Sequence, residues 1–170
     1  MHEDPRPITL YGTPVLHTRC AEVNSYDEAL AELVQEMFAA MYAADGIGLA
    51  ANQIGVGLRV FVYDCPGDTE DDRSVGHVVN PVLAAPKGRA HRVVDSEGCL
   101  SVPGPYAELA RADTATVTGF DSTGRPLAVR GTGLLARCFQ HEVDHLDGVV
   151  YVDRLAGKRR KAVLAAAGLS

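Results

Sequence analysis

The run QHEVDH, Gln140 to His145, sets two histidines four residues apart with Glu142 directly after the first. On an α-helix that spacing is about one turn, so both imidazoles leave the same face. Two imidazoles beside a carboxylate begin a hydrolytic metal site, in which the rings bind a divalent ion and the carboxylate moves protons. Two ligands do not hold a catalytic metal, and the plain alternative is a surface helix whose histidines are merely polar. A third ligand would decide between them. Beyond His145 the chain contains no glutamate and no histidine, which removes the usual third ligands of zinc peptidases. Asp147 and Asp153 are the only carboxylates there, and they leave an aspartate-ligated peptidase open. Upstream, SEGCLSVPG places Cys99 at the end of a strand-like run. A thiolate with two imidazoles is a sound three-ligand set with one position left for water, so Cys99 is the leading candidate.

A further stretch, GIGLAANQIG (Gly46 to Gly55), combines glycines that allow backbone to approach a ligand with Gln53, a side-chain amide donor. Taken alone it reads equally well as a tight helix-to-strand connection.

In their order along the chain, GIGLAANQIG, EGCLS and QHEVDHLDG resemble the three signature motifs of the peptide deformylases. The similarity also takes in YGTPVLHTRCAEV and extends to about Leu155. It implies removal of the formyl group from the N-terminal methionine of newly made proteins, with release of formate. It implies that Cys99, His141 and His145 bind the metal, that Glu142 is the general acid/base, and that Gln53 and the Leu100 amide face the oxyanion. The same roles suit the residues themselves: metal-activated water attacks, two donors stabilise the oxyanion, and one carboxylic acid carries the proton. The resemblance further implies that the peptide adds as a strand along Ile47–Gly48 and Gly98. Its methionine side chain would enter a pocket near Leu134, Cys138 and His141. The cofactor expected is one divalent ion, Fe(II) in the cell, with zinc, nickel or cobalt able to substitute. Two positions depart from the family pattern. Tyr106 stands seven residues after Cys99, where an arginine is common, and Arg137 stands where an apolar pocket residue is usual. A buried guanidinium needs a partner. If VDSEGC is extended, Asp95, Glu97 and Cys99 share a face. Arg111 can then hold Glu97, leaving Asp95 as the preferred partner of Arg137 and Glu97 as the second. On that pairing Arg137 shapes the pocket rim without touching metal binding. Other enzymatic readings remain: a metallopeptidase or an amidase acting on another acyl group. A metal-stabilised binding protein is the non-enzymatic alternative.

These residues need elements to hold them. Helical spacing of Leu30, Leu33, Met37, Phe38 and Met41 predicts a helix over 25–43 with Ser25 as N-cap. The segments LRVFVYD, HVVNPVL, RAHRVVDSEGCL, TATVTGFD and PLAVRGTG read as strands, with a DSTG turn between the last two. A second helix covers 133–147 and stops at Gly148, and a helix with a basic face ends the chain. The expected fold is α+β: antiparallel strands around a central helix carrying the histidines, plus a C-terminal helix, in one domain over 1–170. With 170 residues, 46% apolar and 22% charged, the chain is ordinary for a globular protein. Its net charge of −6 argues against DNA binding. No apolar run is long enough to span a bilayer, and MHEDPRPITLYG does not read as a leader, so a cytoplasmic location with reduced cysteines is expected. The GKRRK run could meet ribosomal RNA or be a solvated helix face.

Overall fold

The computed structural model describes residues 4–169; the first three residues of the stretch read as lacking a leader lie outside it. Three α-helices and seven strands follow in the order α1 (Glu28–Ala43), β1 (Gly48–Ala50), β2 (Val60–Cys65), β3 (Ser74–Ala84), β4 (Arg92–Cys99), β5 (Val102–Ala112), β6 (Thr114–Phe120), β7 (Pro126–Thr132), α2 (Gly133–Leu146), α3 (Gly157–Ala166). An antiparallel five-stranded sheet runs β1-β2-β3-β6-β7, and β4 and β5 form a separate two-stranded sheet. The expected α+β arrangement is the one observed.

The large sheet lies between two helices, and β2 shows why. Val60 and Val62 join the cluster of Leu30, Leu33, Met37 and Met41 from α1. Phe61 and Tyr63 join Phe139, Val143 and Leu146 from α2. Alternate residues of a strand face opposite ways, so a strand covered on both faces loses its polar alternation and reads as a continuous apolar run. A third cluster, around Leu16, Val102, Val150, Tyr151 and Leu155, seats α3.

Helix α2 is buried throughout Ala136–Leu146. Polar side chains buried on it favour specific partners. Gln140 has one in Ala112, accepting its N–H and donating to its carbonyl at 3.0 Å each, and so pins α2 to the end of β5. The buried Arg59 donates to the Leu146 carbonyl and to Asp147 at 2.9 Å each, placing a cation at the negative end of α2. Gly148 stops the helix with φ +80°, a conformation open to glycine.

Three expectations need correcting. The N-cap of α1 is Asp27, whose carboxylate accepts the Leu30 N–H at 3.1 Å; Ser25 lies outside the helix. Gly48–Ala50, read as connection, is an edge strand of the large sheet. Val102–Ala112, not foreseen as a strand, is β5. Its prolines and glycine obscured the pattern, because three residues more lie on β5 than on β4 between the Glu97–Ala107 and Cys99–Val102 pairs.

Candidate metal centre

The β4–β5 hairpin closes through Leu100 and Ser101, which puts Cys99 on the last strand position before the turn. The register shift just before it pushes out Pro103, Gly104, Pro105 and Tyr106, all of which line a pocket of about 430 Å³. The pocket also takes in Ile47, Gly48, Gln53, Gly98, Cys99, Leu100, Leu134, Cys138, His141 and Glu142. Of the residues expected to bind metal or substrate or to take part in catalysis, His145 alone is not among its walls; it is fully buried.

Helix α2 presents its two histidines to the hairpin tip. His145 Nε2 lies 3.2 Å from His141 Nε2 and 3.2 Å from Cys99 Sγ, and the three donor atoms fall within 4.8 Å of one another. Bonds of about 2.0–2.3 Å from a tetrahedral ion to nitrogen and sulfur place such donors about 3.3–3.6 Å apart. The residues therefore fit a divalent metal. His141 supports this through its other nitrogen: Nδ1 lies 2.8 Å from Glu97 Oε2, a carboxylate acceptor that orients the ring and leaves Nε2 as the atom turned to the cluster. Burial opposes charge on His141, but Cys99 and Glu97 outweigh it and raise its pKa. Burial also opposes ionisation of Glu97, and hydrogen bonds from His141 and Arg111 outweigh that, holding its carboxyl below the usual range. Burial together with His141 lowers the pKa of His145. Asp147 and Asp153 are engaged elsewhere, with Arg59 and Tyr11 respectively.

Glu142 lies deep in the pocket, with Oε1 4.0 Å from His141 Nε2 and Oε2 without a hydrogen-bond partner among the described residues. Burial pushes its pKa up to about 7 against the pull of His141. Gly48 makes the room: a Cβ there would stand 2.7 Å from Glu142 Oε1 and 2.9 Å from Cys138 Sγ. Gln53 is set by two bonds, its Oε1 accepting the Ala50 N–H at 3.0 Å and its Nε2 donating to Ser101 Oγ at 3.1 Å. That leaves the amide beside Cys99, with Nε2 3.6 Å from Sγ. The Leu100 side chain packs toward Gly46. Leu134 and Ile47 stand partly exposed at the mouth, at 45% and 38%. Tyr106, 72% exposed, lays its ring over Gly98, where a Cβ would come within 2.6 Å of it.

The preferred partner of Arg137 is corrected. Its Nη1 donates to Glu97 Oε1 at 3.2 Å and to the Leu109 carbonyl at 2.8 Å, and its Nη2 donates to the Val93 carbonyl at 2.7 Å. Asp95 is exposed and accepts the Ser96 N–H; the first five residues of β4 are exposed, and of its two carboxylates only Glu97 is buried. Arg111 holds Glu97 through Nε and Nη2 at 3.0 and 2.7 Å, as its spacing suggested. It also holds Asp144 at 2.6 Å, and Asp144 in turn takes Arg154. The sequence reading missed Ser101, which orients Gln53. It also missed Asn52, whose Nδ2 donates to the His145 carbonyl at 2.6 Å. Ser101 is part of EGCLS and Asn52 of GIGLAANQIG; their position inside those motifs was the available signal.

Residues 5–161 match the family described as polypeptide deformylase. Peptide deformylase 2 of Streptomyces coelicolor is 56% identical over 163 residues, covering 96% of this chain and 89% of that one. Among solved structures, a peptide deformylase from Synechococcus elongatus in complex with actinonin superposes with TM-score 0.88 at 34% identity, over 100% of this chain and 91% of that one. A peptide deformylase from Legionella pneumophila superposes with TM-score 0.87 at 39% identity, over 96% and 93%.

Proposed function

Because the chain belongs to the polypeptide deformylase family, we propose a division of the work of a metal-dependent deformylase among its own residues. The enzyme removes the formyl group from the N-terminal formylmethionine of new polypeptides and releases formate. Cys99, His141 and His145 hold the ion, and Glu97 keeps the His141 ring oriented. Bound there, a divalent ion acidifies water toward neutral pH and polarises a carbonyl oxygen. Glu142 accepts the proton of the attacking water and returns it to the departing amine, which must leave neutral. Its burial supports this role, since a carboxyl that readily takes a proton near pH 7 can also give it up. Gln53 Nε2 and the Leu100 N–H donate to the oxygen that gains charge.

The peptide beyond the formyl group adds to the open edge of β1 at Ile47–Gly48, opposite Gly98. The supporting fact is that β1 is an edge strand, paired among the described residues with β2 alone. The methionine side chain lies against Leu134, Cys138 and the stem of Arg137. We take Fe(II) as the resident ion, with zinc, nickel or cobalt as substitutes; a thiolate and two imidazoles suit all four. We also take the chain to work as one cytoplasmic domain, with Lys158, Arg159 and Lys161, exposed on α3, available to the ribosome. No helix among the described residues is long and apolar enough to cross a membrane.

The observation that carries this reading is the clustering of Cys99, His141 and His145 donor atoms at the wall of a pocket that also holds Glu142, beside an edge strand. The test is formate release from formyl-Met-Ala-Ser against hydrolysis of acetyl-Met-Ala-Ser, with metal content measured on the same anaerobic preparation. Formyl hydrolysis tracking metal content is expected; equal rates on both peptides would make the enzyme a general amidase.

A further inference from the structure

Arg137 lies one turn before His141 on α2, 8% exposed, and its side chain lines the substrate pocket. Its guanidinium makes three hydrogen bonds through Nη1 and Nη2. Two of its three acceptors are main-chain carbonyls, Val93 on β4 and Leu109 on β5. The third is Glu97 Oε1. The other oxygen of the same carboxylate receives His141 Nδ1. A pocket residue and a candidate metal ligand from one helix therefore meet on one buried carboxylate, 5% exposed.

The bracing is two-sided. Arg111 grips Glu97 from β5 with two nitrogens, and Arg137 holds it from α2. Glu97 thus takes four hydrogen bonds, two on each oxygen. The planar fork of an arginine can satisfy acceptors lying in different directions with one rigid group, which a lysine cannot. The two strand carbonyls anchor the fork, so the Nη1 that reaches Glu97 has little freedom of its own.

We propose that Arg137 is a positioning residue of the metal centre: anchored on Val93 and Leu109, it fixes Glu97 against His141 and so sets the hold of the protein on its metal. The proposal rests on the reading of Cys99, His141 and His145 as ligands. It replaces the expectation that Arg137 shapes the pocket independently of the metal. With the guanidinium held by Val93, Leu109 and Glu97, the methylene stem is the part of Arg137 left to an apolar side chain in the pocket.

The test uses Arg137→Met, which keeps a stem of similar reach, together with Glu97→Gln and the double variant. Each is loaded with Co(II), and metal loss to excess chelator and the visible cobalt spectrum are recorded alongside thermal unfolding. Loss of a group that orients a metal ligand typically weakens binding about 10–100-fold. Arg137→Met is expected to lose cobalt about tenfold faster with shifted absorption bands. In the Glu97→Gln background the same change should add less than about twofold, since coupled residues do not act additively. Unchanged release and spectrum in folded Arg137→Met overturn the proposal. So does a full tenfold effect that persists without Glu97. If Arg137→Met does not fold, Arg137→Gln, which keeps a donor for the strand carbonyls, takes its place in every arm. Cys99→Ser is the separate check on the ligands: release no faster than wild type there overturns the ligand assignment itself.

Discussion

Ser101→Ala removes one oxygen from a fully buried site, and that oxygen is the anchor of the Gln53 amide. Ser101 Oγ accepts from Gln53 Nε2 at 3.1 Å, while Gln53 Oε1 remains tied to the Ala50 N–H at 3.0 Å. The alanine variant thus frees the donor end of the amide and leaves the acceptor end fixed. One neutral hydrogen bond contributes about 1 kcal/mol to stability, so the unfolding free energy should fall by about that amount. The catalytic effect differs in origin. An oxyanion donor is worth roughly 3–4 kcal/mol in the barrier, so Gln53→Ala should lower kcat by about 10²–10³. Ser101→Ala keeps the donor but loosens its aim, and a loss of about a third of that energy, roughly 1.0–1.3 kcal/mol, is about five- to tenfold. The assay is formate release from formyl-Met-Ala-Ser by all three proteins at equal metal content, with urea unfolding of each. A Ser101→Ala rate as low as that of Gln53→Ala would mean that the hydroxyl acts directly on substrate. A Gln53→Ala rate within about threefold of wild type would refute the oxyanion role altogether.

The same geometry sets other outcomes. Glu142→Gln should keep its metal and lose turnover by about 10²–10⁴, because the amide cannot accept the proton; loss of metal instead would make Glu142 a ligand. Gly48→Ala should cost about 1–3 kcal/mol of stability and most of the activity, since the new methyl meets Glu142 and Cys138 below 3.0 Å; a crystal structure with Glu142 unmoved would contradict this. The iron form should lose activity in aerated buffer while nickel or zinc forms persist, and equal decay of all forms would point to another cause. Burial raises the Cys20 thiol to about 11 from its usual 9, against the pull of Arg59. The folded pKa is the higher one, so stability is intact below pH 9 and falls between pH 9 and 11, by up to roughly 1.4 kcal/mol per pH unit. Urea unfolding under reducing conditions should show this slope in wild type and a shallower one in Cys20→Ala.

Much of this protein was legible in the amino-acid order because the relevant interactions are local. The i, i+4 spacing of His141 and His145 fixes their common face once a helix forms, whatever that helix packs against. The apolar run of β2 and the periodicity of α1 announced elements that are buried on two faces and on one. The motifs GIGLAANQIG, EGCLS and QHEVDHLDG carried the family, and with it residues that the fold gathers in and around one pocket. What sequence could not settle depends on partners far along the chain. Asp95 and Glu97 are equivalent by alternation, yet only Glu97 lies where the hairpin meets α2, so Arg137 pairs 40 residues away with one and not the other. β5 was hidden because its partner strand forces a bulge of prolines and glycine, and a bulge is a property of two strands together. Gly48–Ala50 became a strand only because β2 offered it hydrogen bonds. Ser101 acquired a task only when folding brought Gln53 to it from 48 residues away. A side chain's own chemistry is written in the sequence, but which buried polar group satisfies it is decided by the desolvation that packing imposes.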